Sequence, residues 1–152
     1  MSYIYLSDEV KQMRKEYADI EYNDYPPEFK KHVTARVHPK DCYRRAIKFI
    51  LTNYNPDYKL IHGIFMDLYN EHMTDKEHRE AFGHAWVEIE PGVIFDGVFN
   101  RFYREHEYLE RRNIKKYQEW KAKQVLEAIT KYNSFDGIHN LPCTQYDLTE
   151  GI

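Results

Sequence analysis

The chain has 152 residues, a formal net charge of -3 and an apolar fraction of 42%, with 14 Tyr and 8 Phe. That is enough for one core burying about two-thirds of the unfolded chain's surface, with the aromatics supplying apolar area without disulfides or metal. The weak negative charge excludes a global basic field for nucleic acid or an anionic membrane. No stretch approaches the roughly 20 apolar residues of a membrane span, and Asp8 and Glu9 leave Met1–Val10 without a signal-peptide core. The expectation is a soluble, cytoplasmic protein in which Cys42 and Cys143 are reduced thiols.

In chain order, Ser7-Asp8-Glu9 predicts a helix start, and Val10, Met13, Tyr17 and Ile20 follow at helical spacing. Pro26-Pro27 and His38-Pro39 break the pattern over 21–39, which reads as a wrapped connector with a short strand at 32–37. Lying just before Cys42, the connector is a candidate regulatory lid. A well-defined helix follows, with Cys42, Ala46, Ile47, Ile50 and Leu51 on one stripe, ended at Asn53–Asp57 by Pro56. Residues 58–66 predict a strand whose Gly63 marks a bulge or a close approach. Residues 67–82 predict a loop or irregular helix. Residues 84–90, Pro91-Gly92 and 93–99 predict a hairpin. Residues 103–112 show weak helical periodicity, 118–132 a clearer helix, and the tail from Asn133 is extended. The run Arg111-Arg112-Asn113-Ile114-Lys115-Lys116, continuing to Lys121 and Lys123, predicts solvated helix surface, with a phosphate-binding patch as the alternative.

Cys42 opens its helix, where the macrodipole and unpaired N–H groups favour a thiolate and can face an oxyanion. Asp41 opposes this unless it points away as the cap. His84 begins a strand after Gly83, and Asp96 lies among Phe95, Gly97 and Val98, where a carboxylate needs a partner. An imidazole fits, because a carboxylate on one ring nitrogen leaves the other free as a base. The register tests this. A regular hairpin through Pro91-Gly92 places Asp96 opposite Val87, facing away from His84, so a triad requires an odd-length loop or a bulge, with Gly92 and Gly97 as candidates.

Cys42-Tyr43-x-x-Ala46, the strand ending near His62-Gly63, Gly83-His84-Ala85-Trp86-Val87-Glu88 and Val93-Ile94-Phe95-Asp96 together resemble the transglutaminase-like branch of papain-like cysteine enzymes. The resemblance is strongest to small bacterial and phage proteins of mostly unassigned activity, and it spans roughly 41–99. It implies an α+β fold in which the cysteine-bearing helix packs on an antiparallel β-sheet, with Cys42 as nucleophile, His84 as base and Asp96 as orienter. Many relatives carry a small residue before the cysteine and Asn three after it, where this chain has Asp41 and Arg45. His38 is the nearest candidate oxyanion donor, and Trp86 is a candidate cleft wall or core residue. Residues 1–152 are expected to form one domain, with its core at about 41–99, an N-terminal helix and connector at 7–40 and a C-terminal helix at 118–132.

The expected activity is cysteine-dependent acyl transfer through a thioester, on a protein or peptide substrate bearing a carboxamide or amide. Hydrolysis, deamidation and crosslinking stay open. No cofactor is expected, since the six glycines form no phosphate-binding loop. No metal is expected either, because His72, His78, His84 and Cys42 match no zinc spacing. The alternative is an inactive fold serving as a binding or structural module, with Tyr22, Tyr25, Tyr103 and Tyr108 as contact anchors.

Overall fold

The computed structural model describes residues 8–149. Ser7, the expected first cap, lies outside them. Helix α1 (Asp8–Glu16) gives way to a 3-10 turn at Ala18–Ile20 that buries Ile20. There follow α2 (Cys42–Thr52), β1 (Lys59–Phe65), α3 (Asp75–Phe82), β2 (Gly83–Glu90), β3 (Val93–Asp96) and β4 (Arg101–Arg104). The chain continues through α4 (Glu105–Arg112), β5 (Ile114–Lys121), α5 (Ala122–Tyr132) and β6 (Thr144–Gln145). The architecture is mixed α+β, an open six-stranded antiparallel sheet in the order β4-β3-β2-β1-β5-β6.

Strand side chains alternate between faces, and each face carries its own core. On one, the α2 stripe of Ala46, Ile47, Phe49 and Ile50 and the α5 residues Val125 and Ala128 pack on Ala85, Val87 and Phe95. On the other, Ile61, Trp86 and Ile94 pack against Tyr108 of α4 and against Ile20 and Val37 from the N-terminal segment. Gly63 serves both expected purposes. A Cβ there would sit 2.6 Å from Trp86 and from Ile114, and the β1–β5 register shifts between His62 and Gly63.

Several local expectations need correction, among them the extended tail, where a 3-10 helix at Phe135–Asn140 buries Gly137 and Ile138. Residues 32–37 form no strand. A 3-10 helix at Pro27–His32 buries Phe29 against Phe49 and Phe102, and Tyr25 stacks on Phe102 at 4.6 Å. This part of the connector is core wall. Residues 67–82 contain the regular helix α3, whose start is fixed by a Thr74–Glu77 capping box. Residues 103–112 divide between β4 and α4, joined at Arg104. Residues 118–121 belong to β5, so the basic run is a helix end and a strand rather than one solvated helix.

Candidate functional site

The hairpin is irregular in the way a triad requires. Glu90 pairs with Val93 across Pro91-Gly92, but the next pairs are Glu88↔Ile94 and Val87↔Phe95, so Ile89 is the extra residue of a bulge on β2. The bulge is thus at neither Gly92 nor Gly97. Its cause lies in the turn. Pro at the first central position and Gly92 at φ +81 match a type II turn, whose twist is wrong for a two-residue hairpin, and a bulge restores right-handed twist. The one-residue shift moves Asp96 to the face of His84.

There His84 Nε2 lies 3.0 Å from Asp96 Oδ2 and 2.7 Å from the Tyr108 hydroxyl. Tyr108 donates to the same Oδ2, and the Val98 N–H donates to Oδ1 at 2.8 Å. Arg112, four residues along α4 from Tyr108, donates through Nη1 to Tyr108 Oη at 2.9 Å and to Asp96 Oδ2 at 3.3 Å. Its approach to His84 Nε2 at 3.4 Å sets two donors side by side, and Oδ2 accepts from both. The Arg112 side chain is 7% exposed and lies among the rings of Tyr17, Phe65, Phe99 and Tyr108, 5.0 to 5.5 Å from their centroids.

Cys42 approaches from the other side of the sheet. β3 stays paired with β2 only as far as Val87↔Phe95, which leaves a notch beside the first residues of β2. Cys42, at the start of α2, packs against the cores of both faces. Asp41 makes no side-chain capping bond, so the first-turn N–H groups of α2 are not taken by a cap. Its charge is set against Arg45 and His38 instead.

Burial pushes the Cys42 thiol up, but the hydrogen bond to His84, the imidazolium charge and the Ala85 N–H together outweigh it, and the pKa is lowered overall. Burial opposes charge on His84 as well, yet Asp96 and Cys42 raise it to about 9. Asp96, disfavoured by burial but held by the His84 and Arg112 charges, is lowered to about 2. With Nε2 engaged by Asp96, Nδ1 is the ring nitrogen left for sulfur. Arg112 balances Asp96, so the buried set of Cys42, His84, Asp96 and Arg112 is neutral overall with the proton on sulfur or on imidazole. Cys42 keeps partial exposure, whereas His84 and Asp96 are buried. Cys143 provides a contrast, a half-buried thiol pushed up by burial, with Gln118 Nε2 at 3.4 Å.

The structure thus brings together Cys42, His84 and Asp96. The other predicted residues sit differently. Trp86 takes the core alternative, fully buried with its ring 5.9 Å from that of His84. His38 is buried, its ring hydrogen-bonds no group among the described residues, and burial and Arg45 depress its pKa. His72 is exposed beside Glu71, and His78 stacks on Tyr69 and accepts from the Asn70 N–H. Tyr103 and Tyr108 are fully buried and cannot act as surface anchors. Sequence reasoning missed Tyr108 and Arg112, whose i, i+4 spacing was the available signal. His62, on the other face of β1, is buried with Nδ1 unpartnered among the described residues. No family model, curated protein or solved structure matches the chain.

Proposed function

We propose that the chain is a cysteine-dependent acyl-transfer enzyme of the transglutaminase-like, papain-like kind. The observation that carries this reading is the Ile89 bulge, which turns Asp96 onto His84 Nε2 and leaves Nδ1 to Cys42 at the start of α2. The Cys42 thiolate attacks the carbonyl carbon of a carboxamide or peptide, a C–S bond forms, and first-turn N–H groups of α2 face the oxyanion. The His84 imidazolium gives its proton to the leaving nitrogen as the C–N bond breaks, producing a thioester. Neutral His84 then takes a proton from water or an acceptor amine, which attacks the thioester and releases Cys42. Asp96 holds the ring, while Tyr108 and Arg112 position Asp96.

The competing reading, an inactive binding or structural module, draws on the burial of His84 and Asp96 and on their dense hydrogen bonding, which also suits a purely structural network. Iodoacetamide labelling of Cys42, followed by intact mass in a Cys143→Ser background, separates the two. The enzyme reading expects rapid labelling with an apparent pKa well below the free-thiol value of about 8.5, lost or shifted upward in His84→Ala. Labelling that appears only in denaturant would overturn it.

A further inference from the structure

Beyond Cys42, off the apolar stripe, α2 borders a cavity. Arg45 lies one turn on, a rise of ~4.5 Å, and Thr52 lies ~15 Å along the same helix. Between them is a cavity of about 200 Å³ lined by His32, Arg45, Lys48, Phe49, Thr52 and Phe95. No carboxylate lines it. Phe49 and Phe95 are stacked at 4.4 Å, and His32 lies 4.9 Å from Phe49.

The cationic groups there are under-compensated. Arg45 donates through Nη2 to Asn100 Oδ1 at 3.4 Å, while its buried Nε has no hydrogen-bond partner among the described residues. The nearby charge that favours its ionised form is Asp41, one turn back toward the nucleophile. Lys48 is exposed and pairs with no carboxylate among the described residues. A buried guanidinium N–H without an acceptor is costly in the free protein, so an incoming acceptor relieves it. The aromatic wall favours a flat or apolar stem.

We infer that this cavity receives an anionic oxygen group, a carboxylate or a phosphate, on a flat or apolar stem, belonging to the molecule whose acyl carbon Cys42 attacks. The inference rests on the reading of Cys42 as nucleophile and adds a substrate class, an acyl donor with an anion several ångströms from the scissile bond. Arg45 is then a specificity residue.

Two measurements on the full chain test it. In the first, phenyl phosphate, benzoate and benzyl alcohol are titrated against the ¹⁵N-labelled protein. Both anions are expected to shift the amides of residues 45–52 while the alcohol does not, and Arg45→Gln and the surface variant Lys48→Gln each weaken the anions at least fivefold. The tighter anion identifies the source, phosphate or carboxylate. In the second, Cys42 is labelled with N-(4-carboxyphenyl)maleimide and with N-phenylmaleimide. The acid reagent is expected to gain at least fivefold over the ratio seen with unfolded protein, and Arg45→Gln is expected to remove the gain. Absent shifts, or shifts unchanged in both variants, overturn the cavity as an anion site. Anion binding without a reagent preference overturns its assignment to the Cys42 substrate. Inertness of Cys42 to both reagents overturns the nucleophile reading itself, and the titration still reports on the cavity alone.

Discussion

His62 and His84 stand on neighbouring strands, one step apart in register, with Gly63 opposite His84 and His62 opposite Ala85. Both are buried, and they point to opposite faces of the sheet. On the α2 face, burial and the charges of His139 and Arg79 push His62 down to about 3, so it stays neutral. On the α4 face, Asp96 and the Cys42 sulfur overcome the same burial penalty and raise His84 to about 9. Burial alone therefore does not make a histidine a base or an ion. The buried partner decides, and the Ile89 bulge brings Asp96 to only one of the two rings.

Replacing Asp96 by Asn should break the contrast most strongly. It removes the charge that holds His84 protonated and leaves Arg112 unpaired in the core. We expect the His84 pKa to fall below about 7 by NMR titration, with about 3–5 kcal/mol lost in urea unfolding. A ring still titrating near 9 would show that Asp96 is not its partner. Arg112→Met comes next, leaving Asp96 with His84, Tyr108 and backbone N–H groups but no guanidinium, with an expected loss of about 3 kcal/mol. Its neighbour Arg111, paired with Asp19 at the surface, should tolerate the same change without a measurable shift in the unfolding midpoint.

The pH profile of stability sharpens the comparison further. His84 has its folded pKa raised, so its contribution is full below about 6.5 and is lost as pH rises through about 9, a loss of about 3 kcal/mol on the alkaline limb. His62 has its folded pKa depressed, so its contribution is present above about 6.5 and is lost as pH falls toward about 3. Chemical denaturation across pH should show His84→Gln flattening the alkaline limb and His62→Gln the acid limb. If either variant altered the other limb, the assignment would be reversed. The smallest effect is expected from Cys143→Ser, with stability unchanged within about 0.5 kcal/mol and Cys42 labelling unchanged.

Much of this was legible in the chain, because local chemistry fixes it. The stripe of α2 marked its helix, the desolvation of Asp96 called for a partner, and the register arithmetic stated that a bulge was needed. The bulge's position was written in Pro91-Gly92, since a type II turn demands a correction of twist nearby, but the glycines drew attention away from Ile89. The β5 strand was hidden for a related reason. His62 pairs with Gln118 and Gly63 with Lys116, so Tyr117 is skipped and the alternation of period two is broken where the sequence reads Lys115-Lys116-Tyr117. The spacing of Tyr108 and Arg112 could be read, but the burial of Arg112 could not, because it depends on Tyr17, Phe65 and Phe99 from three distant segments. The cavity beside Arg45 likewise needs His32 and Phe95 brought to α2 by tertiary packing.

The extra residue at Ile89 also makes the site a matter of parity. Deleting one residue from the hairpin would return Asp96 to the face of Ala85 and Val87 and carry Phe95 out of its place beside Phe49. The loss of the triad would thus be inseparable from the loss of an aromatic core contact. A lineage carrying this hairpin could change the residues of the site one at a time, but it could not shed the site by sliding the strands without surrendering the fold.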